Sequence, residues 1–148
     1  MIPVDLIKEL RGKTGAGVAD CRAALEETSG NLEKAAEVLK KKGLEKASKK
    51  SDRETHQGRV FTYVHSGRIG VLVSLLCETD FVANTADFQN LGKEICLQVS
   101  SMNPKNIEEL LAQEYIRDPK LMISDMIKSA VAKLGENIKI GEFSRVII

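Results

Sequence analysis

The sequence predicts an α+β protein in which a small helical bundle precedes a larger α+β domain. Apolar residues recur at helical spacing through about the first 43 residues, and the period changes to that of strands at Gly58. Helical spacing returns after Asn84. We therefore expect three parts: a three-helix domain at residues 1–43, a basic linker at 44–57, and an α+β core domain at 58–148 with a three-stranded antiparallel sheet and flanking helices.

Each of the first three helices has its own apolar stripe. The stripes are Leu6, Ile7 and Leu10, then Val18, Cys21, Ala24 and Leu25, then Leu32, Ala35, Ala36 and Leu39. Asn31 is expected to cap the third helix and Gly43 to end it, with the alternative that Leu44 and Ala47 extend the helical pattern into the linker. The Gly-Lys-Thr at positions 12–14 is not a phosphate-binding loop, because that motif needs a glycine where Ile7 stands and a strand before it.

The sheet is predicted from a hairpin and a last strand. Val60–Val64 and Ile69–Cys77 read as two strands joined at Ser66-Gly67-Arg68, with the second strand central. Helices are expected from Phe88 to Met102, over 106–112 and from about Lys120 to Leu134. The last strand, from Ile138 to Ile148, carries a possible bulge at Gly141 and is too apolar for an exposed edge, so either the sheet or another subunit should cover it.

The stretch Cys77–Asn84 joins the central strand to a helix and holds Phe81, one of four phenylalanines in a chain without tryptophan. Two interpretations of Phe81 stay open from pattern alone: a staple folded back on its own helix, or an aromatic anchor for a partner's pocket. Thr79, Asp80 and Asn84 can each accept hydrogen bonds at a helix start, and Asn84 with Asp87 resembles a capping box.

Composition excludes several classes of function. The net charge of +1 gives no global attraction to nucleic acid, and no segment resembles a signal peptide or membrane span. Three scattered cysteines and two isolated histidines favour reduced thiols in the cytoplasm over a zinc site. No Ser–His, Cys–His or paired-carboxylate constellation predicts an enzyme, and neither a metal nor a cofactor is expected. The basic stretch Lys40–Arg53 is typical of a solvated surface, with RNA or acidic-surface contact as the alternative.

Three segments resemble the signature sequences of one family. They are Leu10-Arg11 with Thr14-Gly15-Ala16-Gly17-Val18-Ala19-Asp20-Cys21, then Cys77-Glu78-Thr79-Asp80-Phe81-Val82-Ala83-Asn84, then Leu134-Gly135-Glu136-Asn137-Ile138. They occur in the family's order and extend over nearly the whole chain. The sequence thus resembles bacterial-type elongation factor Ts, in a short form.

The resemblance implies a guanine-nucleotide exchange factor that binds elongation factor Tu, in its GDP form and without nucleotide, and that makes no covalent bonds. It implies a ubiquitin-associated-like bundle that docks on the nucleotide-binding domain of Tu, with Arg11, Val18 and Ala19 on the docking face. It also implies that the turn of Thr79, Asp80, Phe81, Val82 and Ala83 inserts beside the Mg²⁺ and phosphate site. There Phe81 would act as a wedge and Asp80 as a polar contact.

The resemblance also bears on assembly. Longer members carry a second, degenerate copy of the core and a coiled-coil insertion, whereas this chain has one copy and a short segment between Met102 and Leu121. Short members pair two chains, so the resemblance implies a homodimer in which residues 58–148 are also the dimerisation domain. No membrane partner and no direct contact with nucleic acid are expected. The alternative is a helical protein- or RNA-binding module without exchange activity.

Overall fold

The computed structural model describes all 148 residues and contains seven helices and five strands. In chain order they are α1 Val4–Thr14, α2 Val18–Glu27, α3 Leu32–Lys49, β1 Gln57–His65, β2 Ile69–Cys77, α4 Asp80–Ala83, α5 Ala86–Met102, α6 Ile107–Ala112, β3 Glu114–Tyr115, β4 Asp118–Met122, α7 Ile123–Leu134 and β5 Lys139–Ile147. Three packed helices followed by a three-stranded antiparallel sheet with flanking helices confirm the predicted fold class.

The helices α1, α2 and α3 pack around a small core of their own. Its six buried residues are Leu10, Cys21, Ala24, Leu25, Ala35 and Leu39. Gly15 ends α1 in the left-handed region at φ 71°, and the side chain of Asn31 caps α3 by accepting from the Lys34 N–H at 3.0 Å. The predicted Asn31 cap is therefore confirmed, and so are the predicted stripes except at Val18, which is 53% exposed.

The end predicted for the third helix at Gly43 is wrong, because α3 continues to Lys49. Glycine in a helix interior costs about 1 kcal/mol relative to alanine, which makes it a common stop signal. Here Gly43 faces α7, and a methyl group added to it would lie 3.2 Å from the Cβ of Ala132. Close packing of the two helices explains the small residue. The last turn of α3 brings Ala47 into the larger core.

The three-stranded sheet has the order β1-β2-β5 with antiparallel pairing throughout, so β2 is central as predicted. One face of β2 is buried through Val71, Val73, Leu75 and Cys77, and α5 packs on this face with Phe88, Ile95 and Val99. The pairing of β2 with β5 shifts register between Val73 and Leu75, which gives β5 one extra residue at the predicted Gly141 bulge.

The predicted start of the last helix at about Lys120 is wrong, since residues 118–122 form β4 and α7 begins at Ile123. Strand β4 pairs with the two-residue strand β3 in a second sheet that the sequence did not predict. The buried amide of Gln98 holds this ribbon: it donates to the Glu114 carbonyl at 3.0 Å and accepts from the Ile116 N–H at 3.1 Å. The predicted helix at 106–112 and the end of α5 at Met102 are confirmed.

The other face of the three-stranded sheet has no helix on it. Val60, Val64, Leu72 and Val146 are all more than half exposed there. Strand β5 forms an edge of the sheet, with Ile147 57% exposed. None of the helices combines the length and the apolar composition that a membrane span requires.

Candidate partner-binding site

The turn between β2 and α5 contains the one-turn helix α4, which presents Phe81 to solvent. Thr79 caps α4 by accepting from the Val82 N–H at 3.3 Å. Val82 and Ala83 are 4% and 0% exposed and belong to the large core, whereas Phe81 is 82% exposed. The turn is thus fastened by two buried residues directly beside a projecting aromatic ring.

This exposure excludes one of the two interpretations of Phe81, and the anchor interpretation stays a prediction. A staple would bury the ring against its own helix, so the staple interpretation is wrong. An exposed aromatic side chain on a fastened turn has the form of an anchor that a partner's pocket can enclose. Val82 and Ala83 point into the core, so they support the turn, and direct contact of their side chains with a partner stays a prediction.

Asp80 lies beside Phe81 and is held by polar neighbours. Its carboxylate is 3.1 Å from the Arg59 guanidinium and accepts from the Asn84 amide at 3.2 Å. Arg59 also donates to the Asn84 side-chain oxygen. The proposed Asn84–Asp87 capping box is wrong, because α5 is capped by the Thr85 hydroxyl, which accepts from the N–H of the third residue after it at 3.2 Å. Asn84 instead helps to orient Asp80.

Glu136 fixes the start of the turn from the loop between α7 and β5. One carboxylate oxygen accepts from the backbone N–H groups of Glu78 and Thr79 at 3.2 and 2.9 Å. The other accepts from the Thr79 hydroxyl at 2.7 Å. Burial, and then the negative charge of Glu136, raises the pKa of the Cys77 thiol, so this cysteine is not an activated nucleophile.

Two neighbours complete the connection between the turn and the rest of the chain. The Glu78 carboxylate accepts from the Asn137 N–H at 2.8 Å and lies 3.6 Å from the Arg53 guanidinium. The buried Asn137 amide donates to the Ser51 and Arg53 carbonyls at 3.2 and 2.7 Å. The turn, the α7–β5 loop and the segment after α3 therefore form one hydrogen-bonded unit.

The sequence contained a signal for only part of this unit. Arg59 alternates with Phe61 and Tyr63, so strand periodicity puts its side chain on the same face of β1 as these two aromatic residues. Glu136 and Asn137 lie in a segment that the resemblance singled out without assigning them a role. Nothing in local pattern places residue 136 beside residue 79, because that contact depends on how α7 packs.

The residues predicted for docking lie on the bundle. Arg11 is exposed on α1, and Val18 and Ala19 are exposed at the start of α2, where Val18 is 53% exposed. They are placed by the bundle's own core, whereas the 79–83 turn belongs to the larger domain. The predicted site is therefore two separate surfaces.

The basic stretch Lys40–Arg53 lies mainly on the last turns of α3 and is partly neutralised by the protein itself. Lys42, Lys46 and Arg53 lie 3.6 to 3.9 Å from acidic side chains of Glu27, Asp20 and Glu78. A cavity of about 490 Å³ opens beside it, between the α1–α2 loop and α7, and five lysines line it. No group of three or more His, Cys, Asp or Glu residues is arranged to hold a metal ion.

Known proteins resemble this chain over almost its full length. A model of the elongation factor Ts family matches residues 78–147, a segment that begins at the turn and includes Glu136. Elongation factor Ts of Thermoanaerobacter sp. (strain X514) is 41% identical over 191 aligned residues, which cover 98% of this chain and 94% of the relative. That of Thermosipho melanesiensis is 39% identical over 194, covering 100% and 99%.

The chain belongs to the elongation factor Ts family. It is accordingly a nucleotide exchange factor for elongation factor Tu and not an enzyme, and the alternative of a binding module without exchange activity is set aside. The alignments are longer than the 148 residues of this chain, so these elongation factor Ts relatives contain residues that it lacks.

Proposed function

We propose that this chain accelerates GDP release from elongation factor Tu by inserting the Asp80-Phe81 turn beside the Mg²⁺ and phosphate site of Tu. The exposure of Phe81 carries the proposal: the residue is 82% exposed although the next two residues are buried. The Asp80 carboxylate, held beside it by Arg59, would bring negative charge close to the metal and the phosphates. Thr79 caps the short helix that carries these two side chains, and Val82 and Ala83 anchor that helix in the core.

Exchange of this kind follows from thermodynamic linkage. If the factor and GDP each weaken the other's binding to Tu, the coupling between them is reciprocal. About 1.4 kcal/mol of coupling lowers the affinity for GDP about tenfold, and one buried aromatic anchor can contribute about 2 kcal/mol or more. Displacing the shell around Mg²⁺ is effective because the metal's charge holds the phosphate. No covalent step is needed.

The test is the release rate of a fluorescent GDP analogue from Tu with saturating parent protein and with Phe81→Ala. We expect strong acceleration by the parent and a loss of about tenfold or more in the variant. Met102→Ala is the matched control, since Met102 is also an exposed apolar residue, 49% exposed, at the far end of α5. No acceleration by the parent, or equal acceleration by parent and Phe81→Ala, would contradict the proposal.

We further propose that Arg11, Val18 and Ala19 dock the bundle on the nucleotide-binding domain of Tu. All three are exposed on one small bundle with its own core, which supports a separate recognition surface. Their loss should raise the concentration that gives half-maximal exchange, while the maximal rate changes little. A combined Arg11→Ala and Val18→Asp variant that lowers only the maximal rate would refute this division of roles.

We also propose that two chains pair through the uncovered face of the three-stranded sheet. On that face Val64, Gly70 and Val146 lie side by side across the strands, and Leu72 lies in the next row. A contiguous apolar surface of this kind favours association, and a self-complementary contact closes as a dimer. Light scattering should give a dimer for the parent and a monomer for Leu72→Glu.

Met122→Glu is the control for the dimer, because Met122 is an exposed apolar residue of the other sheet. A parent that is monomeric at tens of micromolar would contradict the pairing. We propose the cytoplasm as the place of action, since Cys21, Cys77 and Cys96 are all unpaired, as in proteins of reducing compartments.

A further inference from the structure

The start of the 79–83 turn depends on a single carboxylate that lies outside the turn. Glu136 accepts three hydrogen bonds from two consecutive residues, at 2.7 to 3.2 Å. No other side chain accepts a hydrogen bond from the Glu78 and Thr79 N–H groups. Hydrogen bonds to a charged acceptor are about twice as strong as neutral ones, so this carboxylate dominates the local geometry.

The Thr79 hydroxyl transmits that geometry to α4. A hydroxyl has one proton to donate, and at Thr79 it goes to Glu136 at 2.7 Å. Its lone pairs are then free to accept from the Val82 N–H, which is the bond that caps α4. With the carboxylate in place, the hydroxyl cannot rotate its proton towards the helix. The Glu136 carboxylate therefore orients the hydroxyl that caps α4. The cap in turn fixes the direction in which Asp80 and Phe81 follow strand β2.

The Glu136 contact is reinforced in the opposite direction. Asn137 donates its backbone N–H to the Glu78 carboxylate at 2.8 Å. Residues 136–137 and 78–79 therefore exchange hydrogen bonds in both directions. Gly135, in the left-handed region at φ 78°, ends α7 immediately before and aims the loop at the turn. The loop is thus fixed on a long helix and not only on the turn that it holds.

We propose that Glu136 is a positioning residue for nucleotide exchange, which aims Asp80 and Phe81 through the Thr79 cap. This inference rests on the proposed function of the turn. Glu136 touches Glu78 and Thr79, and neither Asp80 nor Phe81 directly. Its effect should therefore appear in how fast bound Tu loses GDP and not in how tightly Tu is bound.

The first experiment measures the turn in the free chain, without Tu. The sequence has no tryptophan, so Phe81→Trp introduces a single indole at the tip of the turn. We expect its fluorescence anisotropy decay to show restricted local motion, and Glu136→Gln in the same background to release it. Glu114→Gln is the matched control, because it makes the same chemical change at an exposed glutamate whose side chain has no partner in the structure. Equal local motion with and without Glu136→Gln would overturn the inference.

The second experiment measures exchange. At saturating concentration Glu136→Gln should lower the rate of GDP release about tenfold, while the half-saturating concentration stays within about twofold. Thr79→Val should also lower the rate of GDP release, because it removes the hydroxyl. Thr79→Ser retains the hydroxyl and should have most of the parent's rate. A purely structural role predicts instead that the rate of Glu136→Gln recovers when the assay is cooled below the melting transition.

The outcomes separate this inference from the proposed function. If Phe81→Ala loses activity and Glu136→Gln keeps the parent's maximal rate, the positioning role is wrong and the proposed function stands. If the parent does not accelerate GDP release, the proposed function fails, and the anisotropy of the Phe81→Trp variants still decides whether Glu136 orders the turn. Parallel loss of rate and melting temperature in Glu136→Gln, with recovery on cooling, would reduce Glu136 to a stabilising contact.

Discussion

Gly92 lies on the buried face of α5 against Phe61 of β1, and Gly92→Ala tests how tightly the helix and the strand are packed. A methyl group on Gly92 would lie 2.5 Å from Cζ of Phe61 and closer still to two further ring atoms. Optimal carbon–carbon contacts are about 3.5–4.0 Å, so the overlap is at least about 1 Å. The ring cannot move inward freely, because Phe88 packs against it at a centroid distance of 6.1 Å.

Two effects of opposite sign decide the result. Replacing an interior helical glycine by alanine favours the helix by about 1 kcal/mol. Overpacking a core costs about 1–3 kcal/mol, and overlap with three ring atoms puts this site in the upper part of that range. We therefore expect a net loss of about 1–2 kcal/mol, or about 3–6 °C in Tm for a chain of this size.

Urea and thermal unfolding followed by circular dichroism measure this difference. Gly12→Ala is the matched control, because Gly12 is exposed in α1 and nothing lies within 4 Å of an added methyl group. That variant should gain about 0.5–1 kcal/mol. The loss at Gly92 should shrink in a Phe61→Leu background, since the two sites are in contact. A Gly92→Ala protein as stable as the parent would refute the packing argument.

Three further predictions concern other contacts. Burial and the hydrogen bond to Glu94 raise the pKa of Tyr115 to about 12, above its value of 10.0 in the unfolded chain. The neutral hydroxyl therefore stabilises the fold fully below pH 10.0, and this stabilisation is lost as the pH rises towards 12. Tyr115→Phe should reduce the fall in the urea midpoint over this alkaline range. Asn137→Ala removes a buried amide with two carbonyl partners and should cost about 1–3 kcal/mol in urea unfolding. Arg59→Ala should change stability by less than about 1 kcal/mol, because its pair with Asp80 is exposed, yet it should slow GDP release; a loss of stability without slower release would contradict this.

Local pattern was sufficient where a residue's role depended on its neighbours in sequence. The Asn31 cap, the hairpin and the central position of β2 all follow from short-range rules. Phe81 is the clearest case for the site, because an aromatic residue in a polar turn was already unusual. Its exposure, however, required the structure, since both interpretations fit the same sequence.

Long-range contacts caused the errors and the omissions. Gly43 reads as a stop signal, but its packing against Ala132 turns it into a close approach between two helices. The β3–β4 ribbon has too few residues for a periodic signal, and it depends on the amide of Gln98, which is 15 or more positions away. Glu136 is 57 positions from Thr79, so its role was not accessible to any rule about spacing.

The continuity of α3 has a consequence for how a partner meets this protein. A helix of 18 residues is about 27 Å long, and this one begins in the bundle and brings Ala47 into the core that also contains Val82 and Ala83. If a flexible linker joined the bundle to the core, the 79–83 turn would sample a large volume around a partner that has already bound the bundle. The effective concentration of the turn at that partner would then be low. A continuous helix keeps the effective concentration of the turn high for a partner whose two binding sites are separated by the distance between the bundle and the turn. Partners with a different spacing are rejected without any change in the contacting residues.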